Sequence, residues 1–262
     1  MKFAVQEDKV PGESFSDKLQ KLDSYGYDGI ELWGKESMGN TLAKMKDDLS
    51  TSRVKASTIC SGYPGDLLGA EKDLRDRAIR GMKDRLRWAS ELGAVGVITV
   101  ATFGGPKVSD VSPLFPTVKD LERKLFIEEL KELAKTAQDV GAYIILEPIN
   151  RYETHFMNRL EEGVSICKAV GSEWIRIMGD YFHMNIEEDR IERSIREYSD
   201  FIVHIHLADS NRILPGYGHT DFSSLAILDN AGYKYYAALE CAVPGDPNDE
   251  LPKSLAYLKK YL

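Results

Sequence analysis

Four apolar runs decide the fold: Ile144-Ile145-Leu146-Glu147, Ile175-Arg176-Ile177-Met178-Gly179-Asp180, Ile202-Val203-His204-Ile205-His206 and Ala237-Ala238-Leu239-Glu240. Each has the length of a buried strand, each follows a helix-like stretch, and each ends on a residue type that ligates metal ions. The last three start roughly 25–35 residues after the one before, the length of one strand-plus-helix unit. Parallel strands that close into a barrel bring all their C-terminal ends to one face. Three carboxylates and an imidazole would then meet there, which predicts a divalent-metal site built from Glu147, Asp180, His206 and Glu240.

The same grammar of helix, glycine, short apolar strand and polar loop runs outward through the chain. Gly26, Gly93, Gly141, Gly171 and Gly232 stand where a helix ends and a β-rich run begins, as left-handed helix caps do. The spacing predicts eight strands, at 2–5, 28–32, 55–60, 95–100, 143–147, 174–179, 201–207 and 236–241. Helical patterns lie near 14–25, 40–51, 71–92, 117–140, 160–169, 187–198, 222–230 and 249–261. Strict alternation means right-handed crossovers between parallel strands. Eight such units in 262 residues favour a closed (β/α)8 TIM barrel, one domain over 1–262, rather than an open doubly wound sheet. No Gly-rich phosphate loop follows the first strand, which weighs against a nucleotide fold. The polar stretches 61–70, 103–116 and 208–222 follow strands three, four and seven, where a barrel carries its active-site loops.

Composition narrows the function. A net charge of -8 gives little support to binding nucleic acid. The basic residues Arg75, Arg77, Arg80, Lys83, Arg85 and Arg87 alternate with acids and read as an ordinary solvated helix face. The apolar runs are far shorter than the roughly 18 residues of a membrane span. Three widely spaced cysteines, Cys60, Cys167 and Cys241, form neither a disulfide framework nor a zinc finger. The charged N-terminal run is no signal peptide, so a cytoplasmic protein is expected. Self-association into a homo-oligomer stays open.

Three carboxylates and one imidazole make a hard, oxygen-rich shell. It suits Mn2+ first, with Mg2+, Co2+ and Zn2+ as alternatives. His204, two residues before His206, shares its strand face and reads as a hydrogen-bonded core histidine. Glu31 also points inward, with a structural hydrogen bond and a substrate contact equally open. Cys60 reads as a buried thiol, and His155 as a loop residue. His219 is evenly balanced between site and solvent. Trp33, Tyr63 and Phe103 follow strands two, three and four and either wall a sugar-sized pocket or pack at its rim, with both readings open.

The segments Glu147-Pro148-Ile149-Asn150-Arg151-Tyr152-Glu153, Asp180-Tyr181-Phe182-His183-Met184-Asn185 and His204-Ile205-His206-Leu207-Ala208-Asp209-Ser210-Asn211-Arg212 carry a resemblance. Together with Pro215-Gly216-Tyr217-Gly218-His219-Thr220-Asp221-Phe222 and Ala238-Leu239-Glu240-Cys241 they resemble the sugar isomerases and epimerases of the xylose-isomerase-like barrels. The D-tagatose and D-psicose 3-epimerases are resembled most. The resemblance implies metal ligation by Glu147, Asp180, His206 and Glu240. It also implies an acid/base pair of Glu147 and Glu240, and substrate or supporting contacts by Glu153, His183 and Arg212. One departure is Leu207-Ala208-Asp209, where 3-epimerases usually follow the ligand histidine with a small residue and then Gly-Glu.

The chemistry is sound without the family. A proton next to a ketone is too weakly acidic for an unaided carboxylate, and a divalent cation on the neighbouring oxygens stabilises the enediolate by several kcal/mol. Two carboxylates on opposite sides of the substrate can then remove a proton from one face and return one to the other, which inverts that carbon. The expected activity is therefore metal-dependent epimerisation of a sugar or sugar phosphate at C3 of a ketose. Aldose–ketose isomerisation of the hydroxypyruvate isomerase kind uses the same groups and is the first alternative. A non-catalytic sugar-binding barrel and an endonuclease IV-like phosphodiesterase rank lower. The phosphodiesterase needs several more histidines than the five present, all beyond residue 150. A phosphorylated substrate stays open, since Lys9, Lys107 and Arg151 lie on candidate loops, but no phosphate-binding motif is visible.

Overall fold

The computed structural model describes residues 1–262. Eight strands, β1 (Lys2–Gln6), β2 (Gly29–Trp33), β3 (Lys55–Cys60), β4 (Gly96–Thr99), β5 (Tyr143–Leu146), β6 (Ile175–Asp180), β7 (Ile202–Leu207) and β8 (Tyr236–Leu239), pair in sequence order. All pairs are parallel, and β8 closes onto β1. The helices are α1 (Phe15–Tyr25), α2 (Leu42–Thr51), α3 (Lys72–Leu92), α4 (Val118–Val140), α5 (Leu160–Val170), α6 (Tyr181–Glu187), α7 (Ile191–Tyr198), α8 (Leu225–Asn230) and α9 (Pro247–Leu258). The expected (β/α)8 barrel is therefore present, with strand limits within a residue or two of those predicted.

Side chains alternate across each strand, so the two sides of the barrel wall have different cores. Outward residues such as Val5, Ile30, Val97, Ile144, Ile177, Ile205 and Leu239 join the helices in one continuous cluster. Inward residues form small layers, Ala4 with Tyr236 and Ala238, and Cys60 with Ile98, Ile145, Met178 and Val203. Two residues further along the strands, the inward positions turn polar: Gln6, Glu147, Asp180, His206 and Glu240.

A bulge aligns two of these. Ile177 pairs with Ile202, but Met178 pairs with His204, so β7 carries one extra residue. That shift sets His206 level with Asp180 across the β6–β7 ladder. Without it, Ile205 would occupy that place and both histidines would slip out of register.

The predicted helix at 187–198 needs correction. Helix α6 starts directly on β6, and α7 follows only at Ile191. Asp180 caps α6 through a 2.8 Å bond from the Phe182 N–H. The seven residues of α6 follow their cap with no loop between, so a short helix there is hidden behind the strand end. Gly179 permits this turn, because a Cβ there would stand 2.9 Å from the Met184 sulfur.

The basic face of α3 is a second correction. Arg85 is buried, not solvated. Its Nε donates to the Gly34 carbonyl at 2.7 Å and an Nη to the Gly62 carbonyl at 3.0 Å. Its guanidinium also stacks on Trp88 at 4.6 Å. Arg85 thereby clamps the loops leaving β2 and β3 at their closest approach, where a Cβ on Gly34 would lie 2.0 Å from the Ser61 carbonyl oxygen. Arg75 turns inward as well and faces Glu129 at 3.4 Å.

Candidate metal centre

Glu147, Asp180, His206 and Glu240 converge at the C-terminal mouth of the barrel, each offering a ligand atom within 4.8 Å of the others. The His206 Nδ1 lies 3.1 Å from Glu240, 3.5 Å from Glu147 and 3.8 Å from Asp180. It is buried and makes no hydrogen bond of acceptable geometry. A buried imidazole nitrogen without a bond, facing three carboxylates, is the expected form of a site that a cation completes. The donor set fits a divalent ion with a preference for oxygen ligands.

The other face of His206 explains its orientation. Nε2 lies 3.0 and 3.1 Å from the two oxygens of Glu31, which is fully buried. A carboxylate only accepts, so Nε2 carries the hydrogen and Nδ1 is left to the site. His204 donates to Glu31 too, at 2.8 Å, and is the hydrogen-bonded core histidine that was expected. Thr58 completes the Glu31 shell at 2.6 Å. Of the two readings open for Glu31, the structural one holds. Glu31, His204 and His206 also lie close enough to hold an ion, but the Nε2 atoms of both rings are engaged by the carboxylate between them.

Electrostatics bind the cluster together. Burial pushes Glu147 above its usual range, with contact to His206 only partly offsetting it. Burial would raise Asp180 as well, but Arg212, His183 and His206 outweigh it and hold the carboxyl well below its usual range. Burial disfavours a charged His206, yet Glu31 and Glu240 reverse that and raise its pKa well above the ordinary histidine value.

Arg212 enters from the loop after β7 with left-handed backbone, φ 60°. One Nη donates to Asp180 at 2.7 Å and the other to Glu240, while the guanidinium lies over the Phe182 ring at 4.7 Å. A surface pairing with Asp209 is absent. Asp209 is buried and instead accepts the N–H groups of Ser210, Gly216 and Thr220 at 2.8–2.9 Å, which shapes the loop that presents Arg212.

His183 lies on α6, with Nδ1 2.8 Å from the Asn150 side-chain nitrogen and Nε2 3.7 Å from Asp180. Nδ1 also accepts the Asn150 backbone N–H at 3.2 Å, so Nε2 holds the ring hydrogen and faces the site. Glu153 accepts from the Asn150 side chain at 2.8 Å. A cavity of about 230 Å3 opens over the centre, and Trp33, Phe103, Glu147, Glu153, His183, Arg212 and Glu240 line it. Of the two readings open for these aromatics, Trp33 and Phe103 wall the pocket, whereas Tyr63 does not line it. His219 is exposed and bonds only to Ser210, away from the cavity. Burial raises the Cys60 thiol well above its usual pKa, in keeping with an inert group.

Sequence reasoning missed Gln6. Its side chain, at the end of β1, donates to Glu31 at 3.2 Å and to Glu240 at 3.1 Å, tying the histidine support to a carboxylate of the candidate centre. Only its inward parity with Ala4 signals it. The cations on the loops are already paired: Lys9 with Asp8, Lys107 with Asp66, and Arg151 with Glu187. None turns a free charge toward the cavity.

The model of the family described as "Xylose isomerase-like TIM barrel" matches residues 19–261. The chain belongs to that family. Its similarity to the 3-dehydro-D-guloside 4-epimerase of Escherichia coli is 28% identity over 261 residues, covering 99% of both chains. A D-psicose 3-epimerase of Enterocloster bolteae is 35% identical over 123 residues, which is 47% of this chain and 41% of that one. Among solved structures, the apo 3-keto-D-glucoside 4-epimerase of E. coli superposes with a TM-score of 0.90 at 28% identity, covering 99% of each chain. No helix is long and apolar enough to cross a membrane.

Proposed function

We propose that this barrel is a divalent-metal-dependent epimerase that inverts a carbon next to a ketone in a sugar. The observation that carries the reading is His206 Nδ1, buried and unbonded among Glu147, Asp180 and Glu240. Those four residues would hold the ion, with Mn2+ favoured by the hard donor set. Bound there, the cation would supply Lewis-acid stabilisation for negative charge on the substrate's carbonyl and neighbouring oxygens.

The chain's own residues do the rest. Glu147 and Glu240 come from β5 and β8, three strands apart in the ring, and so approach the cavity from different sides. One takes the proton from the carbon beside the ketone while the other gives a proton to the opposite face. Arg212 and the Nε2–H of His183 donate hydrogen bonds to the developing oxyanion. Trp33 and Phe103 keep water from one side of the substrate.

Two carbons are chemically equivalent for this site: C4 of a 3-keto-glycoside and C3 of a free ketose. End-to-end similarity to a 3-dehydro-D-guloside 4-epimerase supports the first, and so does the Leu207-Ala208-Asp209 departure from the 3-epimerase pattern. The D-psicose 3-epimerase similarity over less than half the chain favours C3 as the second reading.

The test incubates the Mn2+-loaded protein with 3-keto-glycosides, ketoses and aldoses and separates the products by chromatography. A C4 epimer of a 3-keto-glycoside is the expected product, and Glu147→Gln and Glu240→Gln should each abolish it. Aldose–ketose interconversion without epimerisation would overturn the reading.

A further inference from the structure

Beside the cavity over the metal centre lies a second one of about 220 Å3. The two share Ser61, Val100 and Phe103 as a common wall. Each alone falls below the roughly 300–1,000 Å3 of a site for a drug-sized ligand, and together they enter that range. The second cavity touches none of the four ligand-type residues, so it has no part in the chemistry described above.

Its lining has two characters. Phe103 is 58% exposed, an unusual state for so large an aromatic side chain, and it lines this cavity as well as the first. Asp66 and Thr102 also line it, with the Thr102 hydroxyl donating to Asp66 at 3.1 Å, Lys107 paired to the same oxygen, and the Leu68 N–H donating to the other at 2.9 Å. An exposed aromatic ring in one cavity with charged and hydroxyl groups suits a pyranose ring, which has apolar C–H faces and a hydroxyl rim. Ser61, at the junction, holds left-handed backbone at φ 32°, a costly conformation for a residue with a side chain. Its N–H and its hydroxyl both donate to the Ile98 carbonyl at 3.0 Å.

We propose that the second cavity is an aglycone subsite. It takes a second sugar ring, joined through a glycosidic oxygen to the keto-sugar held at the metal centre. This rests on the epimerase reading and narrows its substrate to a keto-disaccharide or longer glycoside.

The test compares the metal-loaded protein on a 3-keto-disaccharide and on the methyl 3-keto-glycoside with the same reacting ring. The subsite predicts a specificity constant about tenfold or more higher for the disaccharide, carried mainly by KM, as uniform binding requires. Asp66→Asn and the milder Thr102→Val should each bring that ratio down towards one, and a ratio cancels general damage to the fold. A wild-type ratio near one overturns the subsite and leaves the epimerase reading standing. So does a high ratio that neither variant lowers. A phenyl 3-keto-glycoside matching the disaccharide's advantage overturns the sugar assignment in favour of an aryl group. Calorimetric titration with the unoxidised disaccharide and methyl glycoside separates the two ideas if nothing turns over: tighter binding of the disaccharide retains the subsite, and equal binding removes it with the epimerase reading.

Discussion

Glu31 and His206 form a pair at 3.0 Å in the barrel lumen, and the pair decides which imidazole nitrogen faces the candidate metal centre. Glu31 is itself held by Thr58, His204 and Gln6. Burial alone would raise its pKa, but His206 and His204 outweigh that and keep it ionised. Supporting carboxylates of this kind are worth roughly 10–100-fold in metal affinity. Glu31→Gln is therefore expected to weaken Mn2+ binding by about that factor while the fold is kept. Competition against a chelator measures the affinity, and circular dichroism checks the fold. Unchanged affinity would mean that His206 needs no partner to face the site.

Arg212 grips Asp180 and Glu240 with separate nitrogens, a geometry that a lysine ammonium cannot reproduce. Losing one charged hydrogen bond in a partly desolvated pocket costs roughly 2–4 kcal/mol of transition-state stabilisation. Arg212→Lys should lower kcat/KM by about 30- to 1000-fold with metal content intact. Steady-state kinetics beside elemental analysis reads both. A lysine variant with wild-type kinetics would leave Arg212 with no part in turnover.

Arg85 supports the same mouth from behind. Shortening its reach leaves either the Gly34 or the Gly62 carbonyl without a donor. An unsatisfied buried acceptor costs about 1–3 kcal/mol. Arg85→Lys should lower Tm by roughly 3–10 °C and raise KM, because the chain segments just after β2 and β3, beside Trp33 and Ser61, separate. Differential scanning calorimetry gives the first number. No change in Tm would place the clamp's contribution elsewhere.

Glu129 sets a pH dependence of stability. Burial pushes its carboxyl up to about 8, with Arg75 offsetting only part, and one of its oxygens has no partner. The unfolded chain therefore ionises first. Stability falls as pH rises past about 4.5, and the loss is complete above about 8. Glu129→Gln should match the wild type near pH 5 and melt a few degrees higher near pH 9. Equal Tm values at both pH values would contradict a buried neutral acid.

The barrel was legible because its strands are continuous apolar runs and its helices end on glycine, so local pattern and global fold agree. The strand-end residues Glu147, Asp180, His206 and Glu240 could be named because each closes such a run. Which nitrogen of His206 faces them could not, since that depends on Glu31, 175 positions away. Arg85 looked solvated because helix periodicity counts charges without showing that a guanidinium can spend its donors on two backbone carbonyls. Helix α6 hid because its cap, Asp180, is also a strand end. Read as an N-cap, Asp180 predicts that helix, and with it the place of His183 beside Asn150.

The account's central claim is proton exchange at a single carbon beside a ketone, and the most direct measurement is deuterium wash-in. Mn2+-loaded protein is incubated with a 3-keto-glycoside in heavy water, and NMR locates the label. The account predicts one deuteron at C4, in product inverted at that carbon, and none elsewhere. Inverted product without solvent deuterium, or label only at C1 or C2 of a ketose or aldose, would contradict it.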